Sequence, residues 1–193
     1  MALKDAFQKF PVLTTERLIL RQLADSDAEA FYELYSEPEV PKFLDWDGPG
    51  SVDVARMIIE YFNEQYRKRE TIRWAVVSKE TDKLIGTCIL CGFWRNSIAD
   101  IGYDLAKSEW GKGYMQEALK AILKWADDDL NFHRIQAQVR PENQPSQKLL
   151  NRLGFVEEGL VHMGGFHETR KFFYDYLLFS RVRTPTEYNA KQV

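Results

Sequence analysis

The sequence has no apolar run of membrane-spanning length. Its amino terminus is interrupted by Lys4, Asp5 and Lys9, where a secretion signal would need an apolar core. A cytoplasmic protein with no membrane partner is the expectation. Cysteine is scarce, with only Cys88 and Cys91 present. Their CxxC spacing lies in a stretch that reads as strand, where residues three apart face opposite sides, so core thiols are expected rather than a zinc or redox pair. The chain has no excess of positive charge. Lys and Arg number 26 against 29 Asp and Glu, the formal net charge is −3 and the pI is near 5.7. No general basic surface follows, and nucleic acid is not an expected ligand. No pair among His133, His162 and His167 has helical metal spacing, although His162 and His167 could meet across a hairpin. No metal is expected. Internal repeats and low-complexity tracts are absent as well.

What is present is enough for one well-buried domain: 193 residues, 45% of them hydrophobic. The chain is organised around residues 100–126. Ile101, Tyr103 and Leu105 alternate as in a strand, whereas Met115, Ala118, Leu119, Ile122, Trp125 and Ala126 fall on one helical face. Gly111 and Gly113 lie between. A strand, a glycine-rich turn and a helix leave the first helical N–H groups pointing outward, and the glycines allow a bulky ligand to come close. An anion fits best there.

The charges agree, because Lys112 sits at the positive end of this helix and Asp127, Asp128 and Asp129 at its negative end, the reverse of what the macrodipole favours. A bound phosphate would explain the lysine, and Glu109 or Glu117 could also offset it. The acidic run reads as a solvated helix stop. A Walker loop is excluded because Gly113 stands where Ser or Thr must follow Gly-Lys. The dinucleotide fingerprint fails because its third glycine would be Gln116.

The segment does resemble the acetyl-CoA pyrophosphate loop of the GNAT N-acetyltransferase superfamily: Arg or Gln, two residues, Gly, one residue, then Gly or Ala. Ser108 stands where Arg or Gln is usual. Trp110-Gly111-Lys112-Gly113-Tyr114 with Glu117-Ala118 resembles the RimJ/RimL-type branch, the ribosomal-protein N-terminal acetyltransferases and their relatives. Residues 13–21, Leu-Thr-Thr-Glu-Arg-Leu-Ile-Leu-Arg, resemble that branch's opening strand, and Asp175, Tyr176 and Phe179 its closing one. The resemblance implies an α/β GNAT fold, with a mixed, mostly antiparallel central sheet flanked by helices and splayed parallel strands at the acetyl-CoA site. The domain would span residues 15–181, after an extension over 1–14 and before a polar tail over 182–193.

The rest of the chain suits that order. Residues 16–23 read as a strand, and a helix capped within Asp25-Ser26-Asp27 runs to Tyr35. A loop over 37–50 mixes prolines and glycines with Phe43 and Trp46 beside Glu37, Asp45 and Asp47. It could receive an amine-bearing acceptor, or pack its own aromatics onto the core. A helix over 51–69 and strands over 71–78 and 83–95 follow, and Asn96-Ser97 turns the chain into the central strand. Residues 133–139 read as a strand, and Asn143 is an N-cap candidate for a helix ending at Gly154. The end reads as a hairpin with its turn at Gly164 and Gly165, and Thr184-Pro185-Thr186 as a frayed tail.

Acetyl transfer to an amine needs a neutral amine, hydrogen bonds to the developing oxyanion and a proton for the departing thiolate. The resemblance assigns the carbonyl to backbone groups of Ile101, Gly102 and Tyr103. It assigns the pyrophosphate to Gly111, Lys112, Gly113, Tyr114 and Met115, and a second CoA-contacting segment to Asn143, Ser146 and Lys148. Ser146 lies where the branch carries a serine acid, although Ser is also an ordinary residue of a first helical turn. The glutamate that resembles a base in part of the branch is replaced by Gly165. The resemblance also implies a carboxylate acting through water at the start of the central strand, which makes Asp100 the first candidate base, with Glu168, His162 and His167 behind it. The acceptor would be a protein N-terminal α-amine or a small amine such as a polyamine or antibiotic. A CoA-binding sensor without catalysis is the alternative of another class. Oligomeric state is not encoded in any recognisable motif.

Overall fold

The structure, a computed structural model, describes residues 3–94 and 97–183. Asn96 of the expected turn and the expected tail from residue 184 onward lie outside those residues. Eight strands form one sheet: β1 (Leu13–Thr14), β2 (Leu18–Gln22), β3 (Ile72–Ser78), β4 (Leu84–Trp94), β5 (Ile98–Leu105), β6 (Arg134–Val139), β7 (Val156–His167) and β8 (Phe172–Val182). Their order is β1-β2-β3-β4-β5-β6-β8-β7, and every pairing is antiparallel except β5 with β6. This is the mixed α/β architecture expected, with helices on both faces.

Helices α1 (Ala28–Ser36) and α2 (Val52–Arg67) cover one face. Their Phe31, Leu34, Ala55 and Ile59 pack on Ala75, Val77 and Leu84. Helices α3 (Tyr114–Trp125) and α4 (Gln144–Arg152) cover the other, where Ala118, Leu119, Ile122 and Leu150 meet Leu20, Trp74, Cys88 and Ile101. The period-2 alternation of β5 and the 3.6-residue stripe of α3 thus bury the same core from two sides. Residues 3–14 belong to that core too. Leu3, Phe7, Phe10 and Leu13 pack against it, Tyr66 Oη donates to the Ala6 carbonyl at 2.8 Å, and Trp74 Nε1 donates to the Pro11 carbonyl at 2.7 Å.

Three expectations are corrected. Gly164 and Gly165 are not the hairpin turn: β7 runs through them and the chain reverses at residues 168–171, with Lys171 in the left-handed region at φ 54°. The glycines serve packing instead. A Cβ at Gly165 would lie 2.1 Å from a ring carbon of Tyr174, and one at Gly164 2.9 Å from Tyr176. Because the turn comes later, His162 and His167 both lie on β7 and do not face each other across the hairpin. The acidic run after α3 is more than a solvated stop. It forms a single π turn closed by Asn131 at φ 55°, in which Asp127 accepts two bonds from Arg181 of β8 at 2.9 and 2.6 Å. Asp128 answers to local helix charge, accepting from Lys124 at 2.6 Å.

Candidate active site

Between β5 and α3 the chain makes one 3-10 turn at Lys107–Glu109 and then bends through Gly111 at φ 77° and Gly113 at φ 83°. These left-handed positions explain the two glycines, since a side chain there would be strained. Gly113 is the N-cap of α3 and no side chain caps it. Space around Gly111 is open, with no atom within 4 Å of where a Cβ would lie. The first N–H groups of α3 are therefore presented to whatever approaches the loop. Trp110 Nε1 pins the loop by donating to the Leu105 carbonyl at 2.8 Å.

Of the two offsets considered for Lys112, Glu109 is the one used: Lys112 Nζ donates to its carboxylate at 3.0 Å while remaining half exposed. Glu117 turns the other way. It accepts from Thr15 Oγ1 at 2.5 Å, from Arg17 N at 2.8 Å and from Arg17 Nε at 2.7 Å. Burial alone would push the Glu117 carboxyl up, but these hydrogen bonds outweigh it and hold the group below the usual glutamate range. Arg17 also donates to the Lys112 carbonyl at 3.0 Å and lies 4.3 Å over the Tyr114 ring. Neither Arg17 nor its tie to the loop is visible from local spacing, because residues 17 and 117 meet only where β2 passes α3.

Strands β5 and β6 pair at only three positions, Ile98 with Arg134, Ala99 with Ile135 and Asp100 with Gln136. Beyond that point β5 stays with β4 to Leu105, while β6 follows β8 to Val139. The two parallel strands diverge, and the backbone of Ile101, Gly102 and Tyr103 forms one lip of a gap with no strand opposite. Ala137 and Val139 lie on the other lip. Helix α4 begins just past β6, capped by Asn143 Oδ1, which accepts from Ser146 N at 3.2 Å. Ser146 Oγ lies 2.6 Å from Tyr103 Oη, so two hydroxyls from opposite lips meet across the gap. Burial pushes the Tyr103 phenol well above its ordinary pKa, and the Ser146 hydrogen bond opposes that only in part.

The expected site residues thus converge unequally. Ile101, Gly102, Tyr103, Gly111, Gly113, Asn143 and Ser146 gather around the gap and the loop. Lys148 is exposed on α4. Met115 is buried, with its sulfur 3.5 Å from Cys88 Sγ, so only its backbone is available to a ligand.

Asp100 lies at the foot of the gap, on the sheet face opposite Tyr103, as positions three apart on a strand must. Its Oδ1 accepts from Gln136 Nε2 at 2.8 Å. Burial raises the Asp100 pKa despite that bond. On the same face and missed by the sequence reading is Asp104. Its side chain is 8% exposed, accepts from Tyr35 Oη at 2.7 Å and Thr87 Oγ1 at 3.0 Å, and lies 3.6 Å from Arg73. Burial raises its pKa as well, with Arg73 opposing. The even spacing of residues 100, 102 and 104 was the available signal; Tyr35, Arg73 and Thr87 left none.

In the 37–50 loop the core-packing alternative holds for Trp46, whose ring packs against Tyr35 at 4.9 Å. Asp47 Oδ1 is ion-paired with Arg170 Nη2 at 2.6 Å and lies 3.8 Å from His167 Nε2. Glu168 N donates to the Asp45 carbonyl at 2.5 Å. The loop is thereby tied to the tip of the β7–β8 hairpin. An open pocket of about 430 Å³ remains beside it, bordered by Tyr32, Tyr35, Pro41, Asp47, Pro49 and Arg170. His167 is buried, and its Nδ1 accepts from Arg170 N at 3.1 Å; His162 is exposed, 3.0 Å from Asp175. Among the described residues no group of three His, Cys, Asp or Glu side chains could hold a metal ion, and no helix is long and apolar enough to cross a membrane.

A diverging parallel pair beside an uncapped, glycine-led helix is the geometry of the acetyl-CoA fold suggested by the loop motif, and residues 17–156 match the family model described as an acetyltransferase (GNAT) domain. The chain belongs to the GNAT acetyltransferase family. This GNAT protein is an N-acetyltransferase, as its relatives are. It is 38% identical over 175 residues to the uncharacterized N-acetyltransferase p20 of Bacillus licheniformis, covering 89% of this chain and 96% of that one. It is 30% identical over 155 residues to the [ribosomal protein uS5]-alanine N-acetyltransferase of Escherichia coli, covering 76% and 79% of the two chains. Among solved structures, Mycobacterium smegmatis RimJ in complex with CoA-disulfide matches with a TM-score of 0.75 at 23% identity, covering 94% of this chain and 95% of that one. The RimL ribosomal L7/L12 α-N-protein acetyltransferase in complex with coenzyme A matches at 0.77 and 20%, covering 89% and 98%. These two share the GNAT fold with the chain.

Proposed function

We propose that the protein transfers acetyl from acetyl-CoA to the N-terminal α-amine of a protein. The observation that carries the cofactor assignment is the gap between β5 and β6 opening beside the uncapped start of α3. Backbone N–H groups of residues 113–116 would hold the diphosphate, with Lys112 adding charge once it swings from Glu109. Asn143, Ser146 and Lys148 would line the pantetheine arm. Bound acetyl-CoA supplies the activated acetyl group; the chain supplies orientation and protons. Backbone groups of Ile101, Gly102 and Tyr103 on the unpaired lip would orient the carbonyl and stabilise negative charge on its oxygen. Ser146 would give a proton to the departing sulfur from one face of the sheet. Asp100 would take one from the amine, directly or through water, on the other. Because the gap runs through the sheet, groups on opposite faces can serve one reaction.

The α-amine of a protein is favoured by the similarity to the uS5-alanine enzyme, 30% over 76% of the chain. Calorimetry with acetyl-CoA, followed by acetyl transfer to a peptide pool and to a panel of small amines, tests both halves. Peptides acetylated at their amino termini are expected. Transfer confined to polyamines would replace the acceptor assignment, tight binding with no transfer would replace catalysis by sensing, and absence of binding heat would remove the cofactor assignment. Ser146→Ala should lower turnover and leave acetyl-CoA affinity nearly unchanged; an unchanged turnover number would remove Ser146 as the acid.

A further inference from the structure

We infer that the Tyr103 side chain is a positioning residue that orients the Ser146 proton toward the leaving sulfur, an inference that rests on the proposed acetyl-CoA site. The family resemblance gives residue 103 a backbone role only; the side chain is a separate observation. Tyr103 points to the α4 face of the sheet, and its Oη lies 2.6 Å from Ser146 Oγ. Among the described residues neither hydroxyl has another hydrogen-bond partner.

Two hydroxyls sharing one bond carry two protons, and only one of them lies between the oxygens. A phenol is a far stronger acid than an aliphatic alcohol, so it is the better donor and the alcohol oxygen the better acceptor. Burial keeps the Tyr103 phenol protonated at neutral pH, so that donor role is always available. With Tyr103 donating, the Ser146 proton is released from the pair and free to point into the gap. Were Ser146 to donate to Tyr103 instead, its proton would be consumed within the pair. Donation from Tyr103 also polarises the Ser146 O–H and makes it a stronger donor, the cooperative effect of a hydrogen-bond chain.

The proton and electron count closes without another reagent. The amine nitrogen forms a bond to the acetyl carbon, and the carbon–sulfur bond breaks with its electron pair on sulfur. Sulfur receives the Ser146 proton while the Tyr103 bond to Ser146 Oγ shortens. Ser146 is reprotonated from solvent, and the proton shed by the nitrogen leaves through Asp100. The Tyr103 proton bridges the two oxygens and neutralises the charge left on Ser146 Oγ until solvent returns a proton to the pair.

The test is the ionisation of the thiol of bound coenzyme A, followed by the ultraviolet absorbance of the thiolate during a pH titration. It is run on the parent, Tyr103→Phe, Ser146→Ala and the double variant, each saturated with coenzyme A, alongside turnover numbers. A group that donates to the sulfur lowers the thiol pKa. The parent should therefore hold the bound thiol below free coenzyme A. Tyr103→Phe should raise it by about half to one unit, roughly three- to tenfold in thiolate fraction. Tyr103→Phe should lower kcat by a similar factor with KM for acetyl-CoA nearly unchanged. In the Ser146→Ala background Tyr103→Phe should do nothing further, because the residue it acts through is gone. Equal thiol titrations in parent and Tyr103→Phe, or losses that multiply in the double variant, overturn the inference while leaving the acetyl-CoA site in place. A parent that binds no coenzyme A overturns both.

Discussion

Replacing Gly165 with alanine separates two explanations for the glycine pair in β7. A Cβ there would sit 2.1, 2.4 and 2.6 Å from three ring carbons of Tyr174, where comfortable contact needs about 3.5 Å or more. The ring would have to retreat by roughly 1 to 1.5 Å. It is held in place by Arg140, whose guanidinium carbon is 3.3 Å from the ring centroid, and Phe172 packs at 6.3 Å. Overpacking of this kind costs about 1–3 kcal/mol. Removing a glycine from the unfolded chain returns about 0.4–1 kcal/mol, which leaves a net loss of about 1.3 kcal/mol at the middle of both ranges. Urea unfolding followed by tryptophan fluorescence should show the midpoint falling by on the order of 0.5 M. Gly165 is not at positive φ, so no backbone strain contributes. In a Tyr174→Ala background the same Gly165→Ala change should therefore cost nothing or stabilise slightly. A loss that persists without the Tyr174 ring would refute the packing argument and return the glycines to a backbone role.

Two further outcomes test the electrostatics. Glu158 accepts from Arg134 at 2.7 and 2.6 Å and from Ser180 at 2.6 Å, and those bonds, Arg134 first, bring its carboxyl to about 2. A depressed carboxylate stabilises above its unfolded pKa of 4.5, and the contribution is lost as pH falls through about 2. The full linkage value is about 3.4 kcal/mol; with Glu158 38% exposed, screening reduces it to about 1 kcal/mol. Glu158→Gln should thus lose about 1 kcal/mol at pH 7 in chemical denaturation and less than half of that at pH 3, whereas a pH-independent loss would show that the ion pair is not its source. Asp100→Asn should remove the acidic limb of the kcat/KM profile, a limb displaced upward from ordinary carboxylates because burial raises the Asp100 pKa. A limb unchanged in the variant would exclude Asp100 as the base.

The parts of the site that are local in sequence were legible without coordinates. Gly111 and Gly113 were readable because left-handed backbone at a helix start has few other solutions, and Asn143 because a cap acts within one helical turn. The hairpin turn was misread for a related reason: a glycine pair signals freedom from Cβ, and sequence does not say whether a turn or a tyrosine ring uses it. The Arg17–Glu117 clamp and the buried Asp104 group with Tyr35, Thr87 and Arg73 join residues far apart in the chain, and no periodicity encodes such meetings.

By itself the sequence determined the helix start that can receive an anion, the alternation of the central strand and the serine placed in the first turn of α4, since each depends on backbone geometry within a few residues. The folded chain decided what those pieces face. Divergence of β5 from β6 after Asp100 opened the gap, opposite sheet faces separated Asp100 from Ser146, and the approach of two lips brought the Tyr103 and Ser146 hydroxyls within 2.6 Å. Contacts across a sheet depend on strand order and register, which arise from packing summed over the whole domain and from no single stretch of it.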